Sequence, residues 1–171
     1  ATSNCRPAPG PSTISSNSDI APTITDPAAP ASSVCARTAD DVALTVKRLR
    51  DEGHEVTGAA CDVRSAEQIH TFVAAAVERH GPVGVLVNNA GRAGGGVTAD
   101  IPDELWFDVI DTNLNSVFRM TREVLNTGGM RHRDRGRIIN IASTAGMQGV
   151  VLGAPYSASK HGVVGFTKAL G

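Results

Sequence analysis

The sequence predicts an α/β fold in which helices cover a parallel sheet, and three observations carry that prediction. From Val34 onward, short apolar runs of strand character alternate with longer runs of helical periodicity. The 171 residues, 41% of them apolar, suffice for one hydrophobic core and not for two. Glycine, proline and capping residues fall between the runs, where elements must start or stop.

The segment 1–33 stands apart from this alternation. Most of it is Pro, Ser, Thr or Ala, and six of the nine prolines lie there. Such a segment buries too little apolar surface to offset the entropy of ordering and is expected to be largely disordered. Val34, Cys35 and Ala36 read as the end of a strand. Thr38, Asp40 and Asp41 suit a helix start, Val42, Val46 and Leu49 share a face, and Gly53 suits the stop. Residues 55–61 read as a second, weaker strand. Ser65 and Gln68 have capping-box spacing ahead of a stripe of Ile69, Phe72, Val73, Ala76 and Val77, and Gly81 with Pro82 ends that helix. Residues 83–87 form a continuous apolar run, as a strand covered on both faces should. Residues 103–127 predict one long amphipathic helix stopped by Gly128 and Gly129. Residues 131–137 then read as a solvated basic loop, and residues 137–142, RIINIA, as another buried strand. Pro155 suits the first turn of a final helix, where its missing N–H costs least.

Composition narrows the function. A formal net charge of -1 argues against a nucleic-acid partner. No apolar run approaches the roughly 20 residues that span a bilayer, so a soluble protein is expected. The start has no basic segment followed by an apolar one, the mark of a secretory signal. Cys5, Cys35 and Cys61 lie too far apart in the chain for a zinc-ligand pattern and do not form a small disulfide framework. They read as reduced thiols of a cytoplasmic protein, and no metal is expected. The chain begins at Ala1 without an initiator Met and stops at Gly171 inside a helical pattern, which reads as a fragment.

The chemistry concentrates late in the chain. Tyr156 and Lys160 are four apart on the final helix, so they share a face, and an ammonium beside a phenol favours loss of the phenol proton. That geometry makes a proton donor. Standing alone, such a pair is more often two surface residues. Ser143, ahead of Tyr156 at the end of the RIINIA strand, is placed to hydrogen-bond a substrate carbonyl, or merely to cap a turn. Asn113, earlier again, sits inside a helix where Asn is a poor choice. It either faces solvent or, buried, holds a water that relays protons to Lys160 with its side chain and backbone.

Asn88-Asn89-Ala90-Gly91 after an apolar strand, then Asn113, Ser143 and Tyr156-x-x-x-Lys160, in that order, resemble the short-chain dehydrogenase/reductase family. The resemblance covers residues 34–171, and residues 85–171 are most similar to bacterial aromatic polyketide ketoreductases of the actinorhodin type, through LVNNAGRAGGG, GRIINIASTAGMQGV and APYSASKHGVVGFTKALG. It implies a Rossmann-like doubly wound parallel sheet of strand order 3-2-1-4-5-6. It also implies Tyr156 as general acid, Lys160 easing proton loss and holding the nicotinamide ribose, Ser143 on the carbonyl and Asn113 on the relay water. Asn89, Ala90 and Gly91 would line the cofactor, with Asp62 and its neighbour Val63 at the adenine. Arg37, at the end of the second strand of that fold, suits a ribose 2′-phosphate, so NADPH is expected.

The chain departs from the family at its start. Of the Thr-Gly-x-x-x-Gly-x-Gly turn that follows the first strand and seats a pyrophosphate on a helix N-terminus, only Ala1-Thr2-Ser3 resembles a piece. A shifted reading frame, a retained intervening sequence or a chimera would each produce such a replacement. The fold is therefore expected to be incomplete, without the first strand and its glycine turn or the C-terminal strands. Gly91–Gly96 reads as a flexible substrate-side loop rather than a substitute turn, and Gly84 stands where the family often has Asp. The expected function is NADPH-dependent reduction of a carbonyl on a polyketide intermediate. The alternatives are a dehydrogenase of a small alcohol, sugar or steroid, and an inactive fragment serving as a binding module. Arg37, Arg64 and Arg92 follow three successive strand ends, where they could receive the phosphopantetheine phosphate of an acyl carrier protein. The complete enzyme is expected to be a homotetramer.

Overall fold

The computed structural model describes residues 23–26 and 29–171. Five strands form one sheet in the order β3-β2-β1-β4-β5. They are β1 (Thr23–Asp26), β2 (Ala29–Ala36), β3 (Glu55–Ala60), β4 (Val85–Asn88) and β5 (Arg137–Asn140). The helices are α1 (Ala39–Asp51), α2 (Ala66–His80), α3 (Asp103–Ile110), α4 (Ser116–Asn126) and α5 (Ala154–Leu170).

The central slot is the unexpected feature. β2 and β3 pair in parallel, as do β4 and β5, but β1 lies between the two pairs and runs antiparallel to both β2 and β4. Thr23 is in register with Val34 on one side and Val87 on the other. The expectation of disorder over residues 1–33 is therefore corrected for residues 23–26 and 29–33, while residues 1–22, 27 and 28 lie outside the described residues. The reason is tertiary. Without a strand between them, β2 and β4 would each present a row of unpaired backbone groups, and Thr23, Ile24 and Thr25 are β-branched residues suited to filling that row. Ile24→Pro should expose the importance of this strand, because a proline inside a central strand removes a ladder N–H. The expected result is a lower urea midpoint; an unchanged midpoint would show that residues 23–26 do not close the sheet.

Most expected elements form within a residue or two of the predicted bounds. Ser65 Oγ accepts the Gln68 N–H at 3.3 Å, while the Gln68 side chain accepts from Asp62 N at 2.8 Å, so the cap is real but its return bond reaches past Ser65. Ile69, Phe72, Val73 and Ala76 of α2 join Cys35, Cys61, Leu86, Met120 and Val124 in the core between the sheet and the α2/α4 layer. α1 packs on β3 across the other face: a Cβ at Gly58 would lie 2.6 Å from Val42 Cγ1 and 2.7 Å from Val46 Cγ2, so only glycine lets the helix approach this closely.

Three expectations need correction. The helix over residues 103–127 is interrupted by a π turn, Asp111–Asn115, closed by the Ser116 N–H on the Asp111 carbonyl. β4 alternates in burial, with Leu86 and Asn88 buried and Val85 and Val87 half-buried, so it is fully covered on one face only. β5 is an edge strand with Ile139 46% exposed, since among the described residues no strand lies beyond it. No described helix is long and apolar enough to cross a membrane, and no metal-binding group of His, Cys, Asp or Glu occurs among the described residues. Cys35 and Cys61 are buried free thiols, and Cys5 lies outside the described residues.

Candidate active site

In a sheet with parallel strands, ligands gather outside the carboxyl ends, and the predicted residues lie there. Arg37 follows β2, Asp62 and Arg64 follow β3, Asn89 to Arg92 follow β4, and Ser143 follows β5. α5 brings Tyr156 and Lys160 to the same edge, beginning with Pro155 in its first turn.

Lys160 is 5% exposed, and its ammonium donates to the Ile141 carbonyl at 2.9 Å. Burial pushes its pKa below the ordinary lysine value, because taking the cation out of water disfavours the charged form. The same ammonium stands 5.8 Å from the centre of the Tyr156 ring, as the i, i+4 spacing requires. Tyr156 itself is half-buried, and Ser143 is half-buried with its Oγ accepting from Ala145 N at 3.2 Å as the cap of a short 3-10 turn. Capping and a substrate contact are compatible for Ser143, since a hydroxyl keeps a donor after accepting one bond.

Asn113 is wholly buried in the π turn. Its Oδ1 accepts from Arg92 N at 2.7 Å, and its Nδ2 donates to Arg92 O at 2.9 Å and to Ser159 Oγ at 3.0 Å. Both amide protons are thus taken by protein. A relay water would therefore meet the second lone pair of Asn113 Oδ1 or the backbone rather than an amide proton. Ser159, which the sequence reading passed over, is also fully buried and donates to the Tyr156 carbonyl at 2.7 Å, so one hydroxyl ties α5 to the π turn. Its position three residues after Tyr156 on an inward-facing helix was the available signal.

The loop after β4 is held closely. A Cβ at Gly91 would lie 3.3 Å from Asn113 Oδ1 and 3.6 Å from Lys160 Nζ. A Cβ at Gly95 would lie 2.1 Å from the Leu152 carbonyl, which also accepts from Gly96 N at 2.7 Å. This seam packs the glycine loop against the segment before α5, and the reading of Gly91–Gly96 as flexible gives way to a close backbone contact. Beneath it, Asn88 Nδ2 donates to Asn140 Oδ1 at 2.8 Å and Asn140 Nδ2 to Thr167 Oγ1 at 2.9 Å, a polar chain joining β4, β5 and α5 that the sequence reading missed. The register Asn88↔Asn140 is what aligns it.

On the other side of the edge, two expectations change. Val63 is 4% exposed and packed in the core, so its side chain does not face the cleft. The Asp62 carboxylate is gripped by Arg64, through Nε at 3.0 Å and NH2 at 2.6 Å, and Arg64's hydrogen bond holds its pKa below the ordinary carboxylate value. Arg64 and Arg92 converge as expected, but on the Asp108 carboxylate of α3 rather than on open solvent.

Comparison with known proteins gives the family. A protein described as a ketoacyl reductase of the monensin polyketide synthase from Streptomyces virginiae is 74% identical over 136 residues, which cover 80% of this chain and 52% of that protein. A 3beta-hydroxysteroid dehydrogenase from Mediterraneibacter gnavus is 38% identical over 129 residues, covering 75% and 46%. A crystal structure of an actinorhodin polyketide ketoreductase variant with NADPH superposes with a TM-score of 0.80 at 64% identity, covering 81% of this chain and 53% of that one. The chain spans about half the length of the curated relatives it matches. The short chain dehydrogenase family matches residues 27–171, and with the Asn113, Tyr156 and Lys160 geometry in place, the chain belongs to that family.

Proposed function

We propose that residues 34–171 carry the catalytic half of an NADPH-dependent ketoreductase acting on a polyketide intermediate. The observation that carries the reading is the buried Lys160 ammonium beside the Tyr156 ring, fixed to the Asn113 turn through Ser159. In this reading the Tyr156 hydroxyl gives its proton to the substrate oxygen as negative charge develops there. Ser143 donates a hydrogen bond to the same oxygen. Lys160, through its donors not used on Ile141, holds the ribose, and a water on Asn113 resupplies the proton. Bound NADPH would supply the hydride.

The residues fit only one half of that cofactor. On the nicotinamide side, Asn89, Ala90 and Gly91 follow β4, and a side chain at Gly91 would crowd Asn113 and touch the Lys160 ammonium. On the pyrophosphate side the described residues do not fit, because only two residues separate β1 from β2 and among the described residues no helix follows the central strand to face a phosphate. Arg37 and Asp62 at the strand ends are assigned to the 2′-phosphate and the adenine, and Asp62 must first release Arg64 to serve.

The test is a chimera in which residues 34–171 replace the matching part of the Streptomyces virginiae relative. NADPH-dependent reduction of a carrier-bound β-ketoacyl thioester is expected, with steroids and simple alcohols turned over far more slowly; the reverse preference would favour the dehydrogenase alternative. In the same chimera Arg37→Asp should weaken NADPH by about 10–100-fold and NADH little, since a charge-assisted contact of roughly 1.5–3 kcal/mol gives way to repulsion. Equal effects on both cofactors, measured by titration, would make Arg37 mere surface charge.

Two further parts of the reading concern partners. Arg37, Arg64 and Arg92 are assigned to the phosphopantetheine arm of an acyl carrier protein in the cytoplasm. The face of α4 and α5 bearing Phe118, Phe166 and Leu170, around a cavity of about 340 Å³, is assigned to homotetramer contacts because Phe118 and Leu170 stand 46% and 43% exposed there.

A further inference from the structure

Three groups of charges that are distant in sequence meet at the mouth of the candidate site. Arg64, after β3, donates through NH1 to Asp108 Oδ1 at 2.5 Å, and Arg92, after β4, donates through NH1 to Asp108 Oδ2. One carboxylate therefore bridges the guanidinium groups of two loops. The arginines are 38% and 39% exposed at their side chains and Asp108 is 21% exposed, so the bridge lies at the surface of the cleft and not inside the core. Asp62 grips the far side of Arg64, and the charge of Arg37 also acts on Asp62. Two guanidinium forks suit a phosphate ester, and here Asp108 already fills the position between them.

The main chain beneath the bridge is fixed independently. Arg92 N and O are both hydrogen-bonded to the Asn113 side chain, so the Arg92 guanidinium can change partners without releasing the loop that lines the catalytic residues. A carboxylate tethered five residues before Asn113 competes with any anion at a high effective concentration, yet it carries one charge and offers two oxygens. A phosphate monoester carries more charge and three oxygens and can replace it.

We propose that Asp108 is an internal stand-in for a phosphate ester: it occupies the anion site formed by Arg64 and Arg92, and a phosphorylated ligand binds there by displacing it. This rests on the entrance role given to the two arginines and not on the reduction chemistry. The ligand chemistry, a phosphate ester, has two sources at this edge: the 2′-phosphate of an adenosine, a monoester with the full advantage over a carboxylate, and the phosphate of a carrier's pantetheine arm, a diester with one charge and two free oxygens that must rely on the rest of the arm to displace Asp108.

The full 171-residue chain is titrated with inorganic phosphate, adenosine 2′,5′-bisphosphate and the methyl phosphodiester of 4′-phosphopantetheine, which reproduces the linkage on a carrier, with the Arg64 and Arg92 guanidinium resonances followed by NMR. Asp108→Asn is expected to bind inorganic phosphate at least about 10-fold more tightly than the unaltered chain, and Asp108→Glu to restore the weaker affinity. Equal affinity in the unaltered chain and Asp108→Asn overturns the proposal. Should Asp108→Asn lose its fold by circular dichroism, the unaltered chain decides: phosphate must shift the Asp108 carboxylate carbon together with the Arg92 guanidinium, and a shift of Arg92 alone overturns it. The bisphosphate and the phosphopantetheine distinguish the two sources. Tighter binding of inorganic phosphate by Asp108→Asn without gain for phosphopantetheine would leave the Asp108 exchange standing and remove the carrier contact proposed for these arginines.

Discussion

Tyr156→Phe, made in the chimera that restores the glycine turn, is expected to lower the rate of carbonyl reduction by about 10²–10⁴-fold, the contribution of a positioned general acid. Removing the hydroxyl deletes the proton donor while leaving the ring, and the ring keeps its place against the Lys160 ammonium at 5.8 Å. NADPH affinity should therefore stay within a few-fold of the parent. That split separates chemistry from folding, because a variant that disturbed α5 would also move Ser159 and the Asn113 turn and would weaken cofactor binding as well. Stopped-flow reduction and a fluorescence titration on the same samples measure both quantities. A reduction rate within a few-fold of the parent would remove Tyr156 from the role of acid.

How much of this was legible in the sequence depends on how local each signal is. Tyr156 and Lys160 were legible because the i, i+4 spacing of a helix dictates that they meet. Asn113 was legible as a misfit, an Asn inside a helix, and it lies in the one stretch where the helix opens into a π turn. The capping of α2 by Ser65 was legible for the same local reason.

Other features depend on what lies across the fold. An apolar run such as Arg137–Asn140 reads alike whether one face or two are covered, and only the neighbours of β5 decide that Ile139 is exposed. Val63 beside a cleft residue looks like a cleft residue, yet the alternation of side chains sends it into the core. Asp108 reads as a charge on a helix face, and its partners Arg92 and Arg64 are 16 and 44 residues away. β1 was least legible: Thr23–Asp26 is short, lies among prolines, and becomes a strand because two open edges flank it.

The reversed direction of that strand leads to the second large effect: the 171-residue chain is expected not to bind NADPH at micromolar concentrations and to be inactive as a reductase. In the fold of this family the strand in the central slot runs parallel to its neighbours, and its carboxyl end delivers a glycine turn and a helix N-terminus to the ligand edge. Here the carboxyl end of β1, Asp26, points to the opposite edge, and the connection to β2 is the two residues 27 and 28. Three residues of strand separate Asp26 from the edge where Thr23 lies level with Val34 and Val87, a distance of about 10 Å. A pyrophosphate bound by the remaining residues would lose two or three charge-assisted hydrogen bonds of roughly 1.5–3 kcal/mol each, which at about 1.4 kcal/mol per factor of ten moves a micromolar complex to about a tenth of a millimolar or weaker. Sheet closure and cofactor binding thus depend on the same slot, and an antiparallel strand satisfies only the first. Circular dichroism should report a folded chain whose fluorescence does not change saturably with NADPH up to high micromolar concentration. Saturable micromolar binding by that folded chain would mean that a phosphate seat exists that β1 itself cannot supply.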